Sequence, residues 1–518
     1  MIMFEWVLGI LLGSVLLSAL ARQIRVPYPA LLALGGTVLA FTPGAPRITL
    51  DPELALALFV APVLLDAAYD TSPRDLRDNW LPVTCLVLVA VSLTTAAVAA
   101  VAHALTGMPW GPAIALGAIV APPDAAAATA VLRQVRLPHR LVTILEGESL
   151  LNDASALLIY RIAVTAVTAG GVTLSDAAPM FLINVVGSIV AGPILALGYM
   201  RLVGVLNQSG DTPTSIILQF VGTFGVWLLA DNLGLSGILT IVAYAITIAR
   251  RAPATTPASV RVPSYAVWET AVFVLNVLAF MLIGLQIGPI FEALAQGQHA
   301  RYLIVAAAVL ATVILIRFAW VMTYNTVARW HVRRFGFHPV RQMMAPSVKG
   351  GLIISWCGMR GIVTLVAALA LPNGEGGPAF PYRDLIVFVA FVVVLGTLVV
   401  QGFTLYPLLL RFNLDDDDPV GRELTQVRTA AYRAALASLD GDGSPLAEAL
   451  RIELEAALAY VNGDSLGSGG MDPGDALRLR AVSAARQVAL AMRNSGEIGD
   501  AAFHRLEEEM DRLELSAS

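Results

Sequence analysis

Long apolar runs, separated by short polar segments, extend from the N-terminus to about residue 410. A run of about 20 apolar residues is long enough to cross a bilayer as an α-helix. The pattern therefore predicts an all-α polytopic membrane protein. Its thirteen predicted spans, numbered in chain order, are 2–20, 27–44, 53–70, 80–106, 110–132, 141–168, 180–206, 213–231, 233–249, 266–294, 302–324, 350–372 and 384–410.

The pattern changes after residue 411, where four aspartates form an acidic run at 415–418. Charged amphipathic segments follow at 420–439, 445–461, 474–494 and 499–514, split by glycine-rich stretches at 440–444 and 462–473. This predicts a transmembrane domain at 1–412 and a helical cytoplasmic tail at 413–518. The tail carries no visible catalytic motif. It is either a solvated appendage or a regulatory or dimer-stabilising domain.

Positive charges lie on alternate loops. Loops after even-numbered spans carry three, Arg47, Arg301 and Arg383, whereas loops after odd-numbered spans carry sixteen. Cytoplasmic loops are the ones enriched in Lys and Arg, so the N-terminus is expected outside and the C-terminus in the cytoplasm of a multi-pass protein of the cell membrane. The alternation also supports an odd number of spans. The sixteen are Arg22, Arg25, Arg74, Arg77, Arg133, Arg136, Arg140, Arg201, Arg250, Arg251, Arg261, Arg329, Arg333, Arg334, Arg341 and Lys349.

Composition agrees with a membrane protein. The 518 residues are 57% hydrophobic and 14% charged, against about 25% charged in a soluble domain; the mean hydropathy is +0.73. No basic patch indicates a nucleic-acid partner. Cys85 and Cys357 fall inside apolar runs and are interpreted as reduced packing residues. Arg22 and Arg25 follow the first run without a cleavage site, which favours a span over a signal peptide.

A polar stretch interrupts the sixth span at Glu148, Ser149, Asn152 and Asp153. An ionisable residue inside a membrane is expensive and is a functional hypothesis by default. Ser149 and Asp153 are four residues apart and share one stripe of a helix, and Glu148 with Asn152 share the neighbouring stripe.

The fifth and twelfth spans are predicted to be broken. Pro122 and Pro123 remove two backbone donors just before Asp124, and Gly358 and Gly361 flank Arg360. Broken helices are tolerated at membrane depth where they are buried or line a cavity. Such breaks in corresponding places of two halves indicate a transporter binding site.

The two broken spans also correspond by position. With the seventh span as a linker, spans 1–6 and 8–13 form two inverted repeats, in which span 5 pairs with span 12. The opposed ends of broken helices carry partial charges of both signs. Asp124 and Arg360 are expected to neutralise them; direct ion binding by Asp124 is the alternative.

Three other spans carry polar groups. Arg317, alone in the eleventh span, needs a partner, and Glu148 is the predicted one because that leaves Asp153 unpaired. Asp66 in the third span is either a second carboxylate on an ion path or a cap near the cytoplasmic end. Asn276 and Gln286 in the tenth span are interpreted as interhelical hydrogen-bonding residues.

The octapeptide at 146–153 resembles the signature helix of the cation:proton antiporter-1 family of sodium/proton exchangers. Asp124, Arg317 and the segment 358–361 stand in the family's order, and the resemblance covers about residues 1–412. It implies a homodimer with an elevator mechanism. Spans 1–3 and 7–10 are then the dimer domain, and spans 4–6 and 11–13 the transport core, with two crossing broken helices.

The resemblance also implies roles for single residues. Asp153 is expected to bind Na⁺ or a proton, with Ser149 as an ion ligand. Asn152 is similar to the neutral member of the Asn-Asp pair of electroneutral exchangers. Glu148 and Arg317 resemble the family's buried ion pair, and Arg360 its crossover arginine.

One feature departs from the family pattern. Many members have Thr or Ser before the broken-helix aspartate and Pro after it, whereas here Pro123 precedes and Ala125 follows Asp124, as in bacterial members. The hydroxyl ligand is lost, which leaves the preferred cation open.

The sequence thus predicts an antiporter that exchanges intracellular Na⁺ or Li⁺ for H⁺, one for one, by alternating access, in pH and sodium homeostasis. A K⁺ or broad monovalent cation/proton antiporter is the alternative. No cofactor and no enzyme activity are expected. Besides the transported ions, membrane lipids are expected as partners. An ion channel, or an intramembrane enzyme with Asp124 and Asp153 as an aspartyl dyad, fits less well. The buried arginines and inverted halves favour a carrier, and the histidines lie at span ends, in loops or in the tail: His103, His139, His299, His331, His338 and His504.

Overall fold

The chain divides into two compact units, Met1–Asp417 and Asp418–Ser518. The structure is a computed structural model. It describes residues 2–43, 51–132, 137–168, 174–206, 211–293, 299–336, 345–373, 378–412, 414, 419–441, 443–462, 473–495, 506 and 509–514. Predictions that fall outside these residues concern Arg47, Arg133, Arg136, Arg341, His338, His504, the acidic run at 415–418, most of the glycine-rich stretch at 462–473 and the start of the last tail segment.

The described residues of the first unit form helices and no strands. Nine helical stretches in this part are long and apolar enough to cross a membrane. The predicted spans at 27–44, 110–132, 233–249 and 350–372 fall on other, mostly shorter or interrupted helices. The helices are α1 (Ile2–Ile24), α2 (Tyr28–Ala40), α3 (Pro52–Asp70), α4 (Pro73–Asp78), α5 (Trp80–Thr106), α6 (Trp110–Val120), α7 (Ala125–Leu132), α8 (His139–Thr168), α9 (Leu174–Leu206), α10 (Thr212–Asn232), α11 (Gly237–Thr255), α12 (Ala258–Leu285), α13 (Ile287–Ala293), α14 (His299–Phe335), α15 (Val348–Trp356), α16 (Ile362–Leu369) and α17 (Arg383–Phe412).

Several helices run beyond the predicted spans. α14 continues eleven residues past the predicted end at 324, and α12 begins eight residues before 266. Apolar runs mark the part of a helix that suits lipid, whereas the helix itself ends where backbone groups are capped. Side-chain caps begin α10, where Asp211 accepts from Thr214 N at 3.0 Å, and α15, where Ser347 Oγ accepts from Gly350 N at 3.0 Å.

α2 and α12 approach each other closely. A Cβ atom added at Gly36 would meet the carbonyl oxygen of Met281, and one added at Gly284 would meet the carbonyl oxygen of Ala33. Small residues let helices in a membrane approach until their backbones touch, which maximises dispersion contacts. The two glycines therefore determine the distance between α2 and α12.

The short helix α4 is held against the start of α8. Asp75, buried on α4, lies 3.1 Å from His139 Nε2, and Arg140 Nε donates to Asn79 Oδ1 at 3.1 Å. Burial opposes the ionisation of Asp75, but hydrogen bonds from His139 and Ser72 outweigh it and lower the pKa of Asp75. The connection between α3 and α5 is thereby fixed to α8.

The described residues of the second unit form three long helices, α18 (Pro419–Ser438), α19 (Pro445–Asn462) and α20 (Pro473–Asn494). Arg451 of α19 donates to the carbonyl of Leu439 at 3.1 Å, just past the end of α18. Arg486 of α20 pairs with Asp511 at 2.5 Å and with Glu514 at 2.7 Å. The helices lie within one or two residues of the first three tail segments predicted from the sequence.

We expect Gly284→Ala to lower the melting temperature of the purified protein in detergent. The added methyl group must separate α2 from α12, and overpacking of this kind costs about 1–3 kcal/mol. Gly9→Ala on α1 is the matched control, because a Cβ there meets no atom within 4 Å. If both variants melted with the parent protein, the contact between α2 and α12 would not limit stability.

Candidate functional site

The polar stretch of the sixth span lies in the middle of α8. Glu148 and Asn152 are 2% and 0% exposed, Asp153 is 9% exposed, and Ser149 is half-buried. About one turn after Asn152, Ser155 Oγ donates to the carbonyl of Val87 at 2.8 Å, inside a wider helical turn of α5 at Cys85–Ala90. Contacts of this kind orient α8, so its polar side chains face defined neighbours.

Two helices are interrupted beside α8. α6 ends at Val120 and α7 begins at Ala125, and the residues between include the two prolines, which cannot donate a backbone hydrogen bond. α15 ends at Trp356 and α16 begins at Ile362. The two interruptions bind each other, because Asp124 N donates to the carbonyl of Met359 at 2.6 Å.

Arg360 binds the carboxyl end of α6. Its Nε donates to the carbonyl of Val120 at 3.0 Å and its Nη2 to that of Ala121 at 3.1 Å. Nη1 donates to the carbonyl of Gly358, and Thr397 Oγ1 accepts from Arg360 N at 3.0 Å. The arginine is 1% exposed. A helix end presents unpaired carbonyls and a partial negative charge, so this guanidinium satisfies the carbonyls and opposes the charge.

Asp124 has the complementary position. It immediately precedes α7, and its carboxylate lies against Gly361, the residue at the start of α16. A Cβ atom at Gly361 would overlap that carboxylate. The acidic group therefore stands at the amino ends of both α7 and α16, where partial positive charge favours an anion.

Glu148 and Arg317 form a buried bidentate ion pair. The Arg317 nitrogens donate to the two carboxylate oxygens at 2.5 and 2.9 Å, and both side chains are at most 3% exposed. Arg317 Nη2 also donates to the carbonyl of Ile354 at 3.0 Å, near the end of α15. The arginine passes over Gly358, where a Cβ atom would lie 2.6 Å from Arg317 Cδ. The glycine is needed for this approach.

Asn152 connects α8 to the first interruption. Its Nδ2 donates to the carbonyl of Pro123 at 2.8 Å. Its Oδ1 is buried and accepts no hydrogen bond within the described part of the chain. Asn152 is therefore a donor to the broken backbone next to Asp124, a contact that the sequence did not indicate.

A cavity of about 1250 Å³ reaches these residues. Asp153 and Ser149 line it from α8 and Asp124 from the first interruption, and Asp66 and Asn276 line it from α3 and α12. Asp124 and Asp153 thus face the same cavity. Among the described residues, the structure has no hydrogen bond or ion pair to the Asp153 carboxylate.

The cavity opens at one end of the helices. Its lining includes Arg22, Arg201 and Arg261, at the ends of α1 and α9 and the start of α12. It includes none of the described loop residues at the opposite end, such as 107–109 or 232–236. The site is thus accessible from the side on which the arginine-rich loops lie.

The predicted site residues fall into two groups. Asp153, Ser149, Asp124 and Asp66 line the cavity, whereas Glu148 and Arg317 are paired away from it. Pro122 and Pro123 line it as well. Within the described residues, no group of three or more His, Cys, Asp or Glu side chains can hold a metal ion.

The sequence did not identify two polar residues of α17. Thr397 and Gln401 are both 0% exposed, four residues apart in the apolar middle of α17. Thr397 holds the backbone of Arg360, as described above. Their spacing was the available signal, because two buried polar side chains on one stripe of an apolar span indicate a polar neighbour. Glu146, which lines the cavity, also received no role from the sequence.

Comparison with known proteins agrees with this arrangement. A family profile described as "Sodium/hydrogen exchanger, transmembrane" matches residues 2–411. The chain belongs to the sodium/hydrogen exchanger family. The exchanger is therefore a transporter rather than an enzyme, a multi-pass membrane protein whose family exchanges cations for protons.

Its relatives match over most of their length. An uncharacterized Na⁺/H⁺ exchanger of Mycobacterium tuberculosis is 32% identical, covering 96% of this chain and 93% of the relative. A "sodium, potassium, lithium and rubidium/H⁺ antiporter" of Bacillus pumilus is 27% identical, covering 95% and 74%. A solved structure, the sodium proton antiporter MjNhaP1 of Methanocaldococcus jannaschii, has a TM-score of 0.60 at 18% identity, covering 79% of this chain and 99% of that one. This likeness concerns the fold.

We predict that Glu148→Ala and Arg317→Ala each reduce the stability of the exchanger by about 3–5 kcal/mol, because each leaves an uncompensated buried charge. The double variant should lose less than the sum of the two, since the residues interact directly. Thermal melting in detergent and the yield of monodisperse protein are the measurements.

Asp231→Ala is the control for this cycle. Asp231 and Arg161 are 3.9 Å apart but more than half exposed, and an exposed pair contributes about 0–1 kcal/mol. Single variants as stable as the parent protein would show that the buried pair does not hold the fold together.

Proposed function

We propose that the exchanger moves Na⁺, or Li⁺, out of the cytoplasm in exchange for H⁺, and that both bind in turn at Asp153. The observation that carries this proposal is the contrast between Asp153 and the other buried charges. Arg360 and Arg317 have protein partners, and Glu148 is bound by Arg317. Asp153 faces the cavity beside Asp124 instead, which favours a mobile positive ligand.

Competition for one carboxylate accounts for coupling. A bare carboxylate is costly to carry through the centre of a membrane, whereas its protonated or cation-bound form is close to neutral. Ser149, one turn away on the same stripe, offers an oxygen ligand for a hard cation. Only the loaded forms are then expected to change sides, which makes the exchange obligatory and one for one.

Asn152 supports electroneutral exchange. Its amide donates to the carbonyl of Pro123, a bond that an ionised carboxylate at this position would replace by repulsion. Asp153 is then the one titrating group of the Asn-Asp pair, so each half-cycle carries the same charge.

The side to which the cavity opens and the motion of the transport core can be proposed as well. By the positive-inside rule, the arginine-bearing mouth of the cavity is cytoplasmic, with the N-terminus outside, so the structure is inward-open. We propose thirteen spans in two inverted repeats, whose broken spans cross at Asp124 and Arg360 and belong to a transport core. Spans 1–3 and 7–10 then form the dimer domain of a homodimer, against which the core moves as an elevator.

The choice of cation rests on the ligands near Asp124. Pro123 supplies no hydroxyl, and its carbonyl already accepts a hydrogen bond from Asn152. Few fixed oxygens then remain to replace the water around a small ion, so weak discrimination among alkali cations is expected. A relative named for sodium, potassium, lithium and rubidium keeps K⁺ as the second candidate.

Asp153→Asn is predicted to abolish cation-dependent proton movement in proteoliposomes, because an amide can hold neither a proton nor a compensating cation charge. The measurement is the dissipation of an imposed pH gradient after addition of Na⁺, Li⁺ and K⁺ in turn. Glu53→Gln, at the exposed start of α3, should behave as the parent protein. Flux retained in Asp153→Asn would contradict the assignment of the site.

The ion gradient at which exchange reverses should not change when the membrane potential is clamped. For a 1:1 exchange no net charge crosses, whereas each additional charge contributes about 2.3 kcal/mol per 100 mV. A second proton per cycle would therefore shift the reversal gradient by about fifty-fold at 100 mV. A reversal gradient that depends on a potassium–valinomycin clamp would exclude electroneutrality.

A further inference from the structure

The turn between α1 and α2 has a strained backbone at Arg25. Its φ is 57°, and Tyr382 is the other non-glycine residue with a positive φ in the described part of the chain. Val26 N donates to the carbonyl of Ala21 at 3.0 Å, a bond that spans five residues at the end of α1. This is the Schellman ending of a helix, in which glycine usually takes the left-handed position because it has no Cβ atom. An arginine at this position therefore costs backbone energy that a glycine would not.

The side chain of Arg25 contacts α17. Its Nη1 donates to Tyr406 Oη at 2.9 Å, and its guanidinium carbon lies 5.5 Å from the centre of the Tyr406 ring. The ring electrons attract the guanidinium in addition to the hydrogen bond. A glycine would form the same turn without strain, but it would lose both contacts. Strained residues of this kind cluster at functional sites and switch regions, so the contact with Tyr406 is the feature that the arginine adds.

α2 and α17 pack through small residues beside this contact. Gly402 precedes Tyr406 by four residues and lies on the same stripe of α17. A Cβ atom at Gly402 would lie 3.0 Å from Pro27 Cγ and 3.6 Å from Ala30 Cβ. Glycine, proline and alanine have no long side chains that interlock, so the two helices can slide past each other with little repacking. A polar contact at the edge of this surface then influences where the helices rest.

The contact lies near the arginine-bearing mouth of the cavity. Arg22 and Tyr28, on either side of Arg25 in the chain, line the cavity, and Arg25 itself is exposed. In the arrangement proposed above, α1 and α2 belong to the dimer domain and α17 to the transport core. The contact therefore joins the two bodies that move against each other, and it is formed in the inward-open state.

We propose that Arg25 and Tyr406 form a latch that favours the inward-open state and opens whenever the transport core moves. A contact that is made in one of two states shifts the populations toward that state. Because this hydrogen bond is exposed, its net contribution is modest, and the latch shifts the equilibrium without blocking it. This inference rests on the proposed elevator motion and adds a residue pair that regulates it.

A reversible cross-link tests whether the contact must open. Arg25→Cys and Tyr406→Cys are combined and joined by a bifunctional methanethiosulfonate whose length matches the two replaced side chains together. Cross-linking should lower sodium-dependent proton movement in proteoliposomes at least about ten-fold, and reduction should restore it, because the two bodies can no longer separate. Exchange that continues in protein shown by mass spectrometry to be fully cross-linked would overturn the proposal.

The matched control joins two residues of one body. Trp356 Nε1 donates to Thr404 Oγ1 at 2.9 Å, and both belong to the proposed transport core. Trp356→Cys with Thr404→Cys, joined by the same reagent, should keep its exchange. A monofunctional reagent on the chain with Arg25→Cys and Tyr406→Cys should also leave exchange in place. Equal losses in the two cross-linked chains, or the same loss with the monofunctional reagent, would contradict the latch.

Two single variants test the direction of the shift. Arg25→Gly keeps the turn and removes the contact, and Tyr406→Phe removes the hydroxyl and keeps the ring. Each should raise the apparent KM for Na⁺ on the arginine-bearing side by about two- to five-fold and lower it on the opposite side, because the inward-open state becomes less populated. Trp356→Phe, which loses a hydrogen bond inside one body, should leave the ratio of the two constants unchanged.

The two KM values separate a latch from a structural contact. A structural role alone would shift both constants in the same direction, and that result, or an unchanged ratio in Arg25→Gly, would overturn the proposal. Failure of the proposed exchange is distinguishable, since the parent protein would then show no cation-dependent proton movement at any concentration.

Discussion

The structure around the site depends on one constraint, that charge inside a membrane must be compensated where it stands. Arg360 is bound by two carbonyls at the end of α6 and by that of Gly358 in the second interruption. Arg317 is bound by Glu148 and by a carbonyl near the end of α15. Asp124 lies at two helix amino ends. Each interrupted helix therefore has its exposed partial charges matched by a side chain. Asp153 stands apart from these pairs and faces the cavity.

Much of this charge compensation could be predicted from the sequence, because each charged side chain inside a span requires a partner of opposite charge. An arginine in one span and a carboxylate in another require each other, which led us to pair Arg317 with Glu148; the structure has this pair at 2.5 Å. The helix interruptions could also be predicted, since Pro122 and Pro123 lack backbone donors whatever surrounds them. The inference needed no knowledge of how the helices pack.

What the sequence did not reveal depends on the approach of distant segments. Gly358 and Gly361 were interpreted as helix breakers, yet in the structure they also make room for the side chains of Arg317 and Asp124. Asn152 was interpreted only as the neutral member of the Asn-Asp pair. Its hydrogen bond to the carbonyl of Pro123 was not anticipated. Thr397 was missed for the same reason, since its partner is a backbone nitrogen 37 residues away. Local pattern does not encode these contacts.

The same bonds bear on the elevator motion that we propose for the transport core. α8 is tied to α14 by Glu148 and Arg317, to the first interruption by Asn152, and to α5 by Ser155. The first interruption is in turn tied to the second by Arg360 and Asp124. A motion of α8 alone would break buried, charged hydrogen bonds at a cost of several kcal/mol each. The lower-cost motion carries all these segments together, with Asp153 fixed within them and the facing walls at Asp66 and Asn276 left behind. A rigid body that bears one carboxylate past a stationary wall is the motion that an elevator requires.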